Sequence, residues 1–318
     1  MINRSKQLTR RDALRAAAGA GAMVAGLPSR SVVASDLNSK YIDAHSHIWT
    51  RDIQRYPLRE GVTLDDLDPP SFTAEELLST AMPENVGRVV LIAHNPFYGW
   101  DNSYMTDAAE QHGGRFRVVG AVDDAPPHPD RAMKELLAKN VTGFRITPWE
   151  REHEHWLFNS SMQLMWKTAA ETGQAICCLI DPRNLPEVER MCREHPDTKV
   201  VIDHFARIGA DGKMRETDLK NLTALARHEN THVKLSAYYA LGKKQAPYDD
   251  LVPMIKRMLD VFGPPRLMWA SDSPYQLTGE NTYHDSISLV RDRIDFLSEG
   301  DRDWLLRKTA EKVYFFDV

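Results

Sequence analysis

From Tyr41 onward, short runs rich in Val, Ile and Leu alternate with longer segments whose apolar residues recur at helical spacing. The apolar runs are KYIDAH, GRVVLIAH, FRVVGAV, VTGFRI, QAICCLI, TKVVID, HVKLSA and RLMWAS, eight in all. The segments between them predict helices over Thr73–Thr80, Asn102–His112, Pro129–Lys139, Asn159–Thr172, Leu185–His195, Leu219–Glu229 and Tyr248–Phe262. A C-terminal helical pair runs from about Thr282 to Phe316. Near-continuous apolar strands separated by helices are what a parallel sheet covered on both faces requires. Eight such units predict an α/β fold, a single (β/α)8 TIM barrel, in preference to a doubly wound open sheet with its fewer strands and Gly-rich first turn. No GxGxxG or GxxxxGK follows the first strand, which counts against dinucleotide and nucleotide binding.

The barrel is expected over residues 35–318, with no low-complexity linker or second composition regime inside it. Residues 1–34 read differently. Arg4, Lys6, Arg10, Arg11 and Arg15 make a basic start, AAAGAGAMVAGLP a short apolar run, and Val32 and Ala34 a small-residue cleavage site, the pattern of a signal peptide. Arg10-Arg11 and Leu14 resemble the twin-arginine export motif, with Ala13 where Phe is usual, so the twin-arginine machinery is an expected partner and the periplasm, or another destination outside the cytoplasm, the expected location.

Forty basic against forty-five acidic residues give a net charge of −5, with no basic run beyond the N-terminus, which argues against nucleic acid and anionic membrane as partners. No apolar stretch reaches the roughly 18 residues of a membrane anchor. Three cysteines, two of them adjacent in AICCLI, give no disulfide framework and read as buried, inert thiols. The expected partner is therefore a small-molecule substrate, and assembly into a homo-oligomer stays open.

His45 and His47 stand two apart at the end of the first strand, so both side chains project to one side of it. His204 closes the sixth strand and Asp272 the eighth. Two imidazoles beside a carboxylate can bind a divalent metal or donate hydrogen bonds to a carbonyl oxygen. An Asp facing several His supplies both parts of ester or amide hydrolysis, a base for water and an electrophile for the oxyanion. Metal-dependent and metal-free versions both fit, zinc being the first choice of ion with His45, His47 and Asp272 as its ligands. Arg145, at the end of the fourth strand, is a candidate anchor for a substrate carboxylate or carbonyl, with Arg207 a second. His94 ends the second strand, where lining the substrate and a structural bond to a loop are both open. Trp49, Tyr98, Trp100, Trp149 and Trp156 mostly follow strand ends and suggest apolar or ring-stacking pocket walls. Asp181, before Pro182, reads as a turn former.

At these residues the sequence resembles the amidohydrolase superfamily, in particular its lactonase branch, with the sugar-acid lactonases and pyrone-dicarboxylate lactonase. The HxH, GFR at Gly143–Arg145, DPRNLPEV, VVIDH at Val200–His204, VKLS at Val233–Ser236 and MWASDSP carry the resemblance. It implies a barrel, attack of water on a carbonyl, and Asp272 as general base. The fifth-strand His common in the superfamily is missing, which argues against two metals. The Tyr-Arg pair usual after VKLS is replaced by Tyr238 and Tyr239, which puts a dicarboxylate substrate in doubt and leaves Tyr238 as a candidate substrate contact. Hydrolysis of a lactone of a sugar acid or aromatic-degradation product is the leading expectation. Metal-dependent non-oxidative decarboxylation and an exported binding protein on the same barrel are the rivals.

Overall fold

The computed structural model describes residues 39–125, 127–148 and 156–317. The expected signal peptide and Trp149 lie outside the described residues. Eight strands pair in sequence order: β1 (Tyr41–Ser46), β2 (Val86–Ile92), β3 (Phe116–Gly120), β4 (Val141–Ile146), β5 (Ala175–Cys178), β6 (Lys199–Ile202), β7 (Thr231–Leu235) and β8 (Leu267–Trp269). All pairings between neighbours are parallel. Closure comes just past β8, where the Asp272 N–H donates to the His45 carbonyl at 2.8 Å and the His47 N–H to the Ser273 carbonyl at 2.7 Å. The fold is the expected (β/α)8 barrel, and its seam is built from site residues.

Helices Ala74–Ala81, Ser103–Gln111, Pro129–Leu137, Ser160–Thr172, Leu185–Glu194, Glu216–Ala224 and Val252–Phe262 follow the first seven strands in turn. The first starts at a capping box: the Thr73 hydroxyl accepts from the Glu76 N–H at 3.3 Å and the Glu76 carboxylate from the Thr73 N–H at 2.6 Å. The helix expected from Leu219 begins three residues earlier, at Glu216, and ends in a 3-10 turn, Leu225–Arg227. The C-terminal pair is broken into Tyr283–Ser288, Glu299–Asp303 and Thr309–Tyr314 by π-helical stretches at Leu289–Arg293 and Trp304–Lys308. Among the described residues no helix is long and apolar enough to cross a membrane.

Two apolar layers follow from strand alternation. Val89, Leu91, Val118, Phe144, Ile176 and Trp269 pack with helix residues such as Leu77, Trp166 and Met191. Ile42, Ala44, Val90, Ile92, Val119, Cys177, Val201 and Met268 form a separate cluster inside the barrel, joined by Ala310, Val313 and Tyr314 of the last helix. That helix plugs the end where the strands begin, for Phe315 and Phe316 lie against Arg88 and Lys199 there. The three thiols are free and buried as expected, and burial pushes Cys177 up to about 11 and Cys192 up to about 12.

One irregularity in β1 decides where the HxH points. Ile42 and Ala44 face the interior cluster, so strict alternation would turn His45 outward. Asp43 pairs with Val89 but Ser46 with Leu91, so three steps on β1 match two on β2. This extra residue is a β-bulge, and it brings His45 back inside to join His47. Asp43, facing the seam, accepts from the His45 N–H (3.1 Å), the Ser271 N–H (2.9 Å), the Ser271 hydroxyl (2.5 Å) and the Tyr283 hydroxyl (2.9 Å).

Candidate active site

Three strand ends, those of β1, β6 and β8, deliver the expected cluster to the mouth of the barrel. His45 Nε2 lies 3.3 Å from His47 Nε2 and 3.3 Å from Asp272 Oδ1, and His47 Nε2 lies 3.5 Å from the same oxygen. His204 Nε2 approaches Asp272 Oδ2 at 3.8 Å. The backbone reaches this arrangement through left-handed turns: φ is 52° at His204, stays positive through Arg207, and is 64° at Asp272. Each such L-residue costs roughly 1–2 kcal/mol, a cost typical of sites where a side chain must be aimed rather than relaxed.

Outer partners fix the rings. His47 Nδ1 donates to the Ile92 carbonyl at 2.9 Å, which leaves its Nε2 without a proton and able to accept from His45. His204 Nδ1 pairs with the Ser236 hydroxyl at 2.8 Å, and His94 Nε2 with the Tyr275 hydroxyl at 2.5 Å. Arg145 is drawn in as expected: Nη1 donates to the Ala93 carbonyl at 3.2 Å, and Nη2 stands 3.3 Å from His45 Nε2 and 3.7 Å from Asp203 Oδ2.

Burial pushes all four imidazoles down, His204 to about 4 and His94 to about 2, so they are neutral at pH 7. Burial would raise Asp272, but the imidazoles gathered around it, His204 foremost with His47 and His45, overcome it and hold its carboxyl well below the usual range. The site is thus an ionised carboxylate ringed by neutral imidazoles.

The cavity above this cluster has a volume of about 680 Å³. His47, His94, Arg145, His204 and Asp272 line it, and Arg207 stands at its rim, where it is paired with Asp181 at 3.3 Å. Asp181 itself caps the turn Pro182–Asn184, as a turn former should. Two expectations need correction. Tyr238 is buried and packs on Tyr248, away from the cavity; the left-handed turn at Ala237 sends Tyr239 there instead. The Tyr239 hydroxyl donates to Asp272 Oδ2 at 2.7 Å. The aromatic walls are Tyr239 and Tyr275, whereas Trp49 and Trp156 are core residues and Trp100 is partly exposed beside a smaller neighbouring hollow that it lines with Asn95 and Arg145.

Sequence reasoning also passed over Asp203 and Lys234. Both are fully buried, with Lys234 Nζ 3.0 Å from Asp203 Oδ1 and 3.2 Å from His45 Nδ1. Burial would raise Asp203, but Lys234 and His45 hold it well below the usual carboxylate range. A Lys in the middle of the apolar run HVKLSA was the available signal, since an unpaired buried ammonium is not tolerated.

His45, His47 and Asp272 converge three ligand atoms on one point. Zinc ligands about 2.0–2.1 Å from the ion stand about 3.3 Å apart at the corners of a tetrahedron. Both the spacing and the donor types fit one divalent ion.

The amidohydrolase family profile matches residues 42–316, so the chain belongs to the amidohydrolase family. It is 29% identical over 245 residues to an L-fucono-1,5-lactonase of Burkholderia ambifaria, covering 73% of this chain and 80% of that one. It is 26% identical over 235 residues to a 4-sulfomuconolactone hydrolase of Hydrogenophaga intermedia, with 73% and 74% covered. A crystal structure of an amidohydrolase from Burkholderia multivorans with bound zinc superposes with a TM-score of 0.72 at 21% identity, covering 87% of this chain and 99% of that one.

Proposed function

We propose that this enzyme opens a lactone by attack of water on the ring ester carbonyl. The observation that carries the reading is the Asp272 carboxylate at the cavity floor, with three imidazoles converging on it. Asp272 takes the proton of the attacking water as the new C–O bond forms, while ring N–H groups and Arg145 donate to the carbonyl oxygen as it gains charge. Collapse of the tetrahedral intermediate breaks the ring C–O bond, and Asp272 returns its proton to the departing oxygen, giving the open hydroxy acid. Because Asp272 is ionised well below neutrality, it is always ready to accept, and its weak basicity is offset by stabilisation of the oxyanion. Both relatives named above act on lactones, and the cavity's polar floor suits an oxygen-rich ring such as a sugar-acid lactone. If a metal is bound, His45, His47 and Asp272 would hold it, zinc being our choice, and it would supply Lewis acidity toward the carbonyl oxygen.

The test is hydrolysis of a panel of five- and six-membered sugar-acid lactones, followed as acid release. Asp272→Asn should lose turnover by roughly a thousandfold or more with an unchanged circular dichroism spectrum. Full activity in that variant, or no lactone opened by the native chain, would overturn the reading.

A further inference from the structure

We infer that Lys234 is a positioning residue that places the single ring proton of His45 on Nε2, making His45 a hydrogen-bond donor into the site and opposing a metal at that nitrogen. The argument rests on counting donors and acceptors around a ring that is fully buried. A neutral imidazole has one N–H and one lone pair, and an ammonium has three donors and no acceptor. The nearest neighbour of His45 Nδ1 is the Lys234 ammonium at 3.2 Å, in hydrogen-bonding geometry. The competing acceptor, Asp203 Oδ1, is at 3.6 Å, beyond hydrogen-bond reach. Nδ1 therefore offers its lone pair to Lys234.

The other side of the ring agrees. Nε2 faces two acceptors at 3.3 Å: the Asp272 carboxylate, and His47 Nε2, whose proton is committed to the opposite nitrogen by the Ile92 carbonyl. With the proton on Nε2, a chain of donation runs from Lys234 through His45 to Asp272 and His47. The Arg145 Nη2 contact at 3.3 Å is then mismatched, while the other guanidinium nitrogen keeps its hydrogen bond to the Ala93 carbonyl at 3.2 Å. With the proton on Nδ1, the N–H would point at an ammonium and the bare Nε2 would face both a carboxylate and a second lone pair. A cation seated among them would relieve the last two clashes. Metal binding at His45 thus requires the tautomer that Lys234 disfavours, and must also break the Lys234 hydrogen bond.

Lys234 is held to this task from several sides. Asp203 neutralises its charge at 3.0 Å, and the ring of Tyr314, from the helix that plugs the barrel, lies 5.5 Å below Nζ. The inference builds on the proposed hydrolytic site for its purpose, but its geometry and its test stand without any turnover measurement.

The experiment is nitrogen NMR of the full chain, labelled with 15N-histidine and stripped of metal by a chelator, with His45 assigned from the signals lost in His45→Gln. His45 should show Nε2 as the N–H nitrogen and Nδ1 as the bare one. The reverse pattern overturns the proposal. In parallel, zinc is titrated calorimetrically into the native chain and into Lys234→Met, where affinity should rise at least tenfold. An unchanged or weaker affinity in a folded variant also overturns it. Should Lys234→Met fail to fold because Asp203 is left unpaired, the Lys234→Met/Asp203→Asn pair removes both charges and carries the same expectation. If lactones are not opened while the tautomer is as assigned, the functional reading falls and this one stands.

Discussion

Asp272 adopts a left-handed backbone while its carboxylate collects contacts from His45, His47, His204 and Tyr239. The strain and the burial are tolerated together because each oxygen has a donor on it. Tyr239 is the most direct of these, and a hydrogen bond to a charged group contributes about 1.5–3 kcal/mol. Tyr239→Phe should therefore raise the basicity of Asp272 but loosen its aim. A fall of roughly tenfold or more in kcat/KM is expected, with the acid limb of the pH–rate profile moving to higher pH. An unmoved acid limb would show that the hydroxyl does not reach the carboxylate in solution.

At the scale of elements, the seam between β1 and β8 does more than close the sheet. The bulge in β1 and the turn after β8 both depend on Asp43, which accepts four hydrogen bonds from β1, from the segment after β8 and from the helix Tyr283–Ser288. Burial pushes its carboxyl up to about 6 against the pull of those bonds. Removing the acceptor would strand several buried donors, each costing about 1–3 kcal/mol. Asp43→Ala should destabilise the chain by more than about 3 kcal/mol in urea unfolding, and should impair catalysis beyond any stability loss because His45 hangs from the same turn. The capping box at Thr73 is a local device by comparison, and it leaves the site alone.

For the whole molecule, the buried histidines set the response to acid. His45, His47, His94, His204 and His232 all have folded-state values lowered by burial, His204 and His232 to about 4. Such a group binds fewer protons folded than unfolded between its two values, so stability falls as pH drops from about 6.5 to about 4. Asp43, raised to about 6, acts in the opposite sense between about 4 and 6, but it is one group against five. At about 1.4 kcal/mol for each unit of difference, the net loss amounts to several kcal/mol. Thermal melts from pH 7 to pH 4 should show Tm falling steeply. A Tm that holds or rises over that interval would mean the imidazoles are charged in the folded state.

The barrel was legible in the chain because eight apolar runs bounded by helical periodicity leave few other ways to bury both faces of a sheet. His45, His47, His204 and Asp272 were legible because each ends one of those runs, and strand ends of a barrel meet at its mouth. Arg145 was placed by the same logic. The choice between Tyr238 and Tyr239 was not, for it turns on a left-handed residue at Ala237 that no local pattern announces. Nor was the bulge, an offset between two strands forty residues apart that exists only once they pair. Lys234 lies in β7 and Asp203 just past β6, in apolar runs whose composition alone says buried, and only their meeting beneath His45 shows what each is for. Periodicity and strand-end position are properties of one segment, so the sequence determines them; hydrogen-bond partners, and with them a ring's tautomer, belong to pairs of distant residues, so only the tertiary structure decides them.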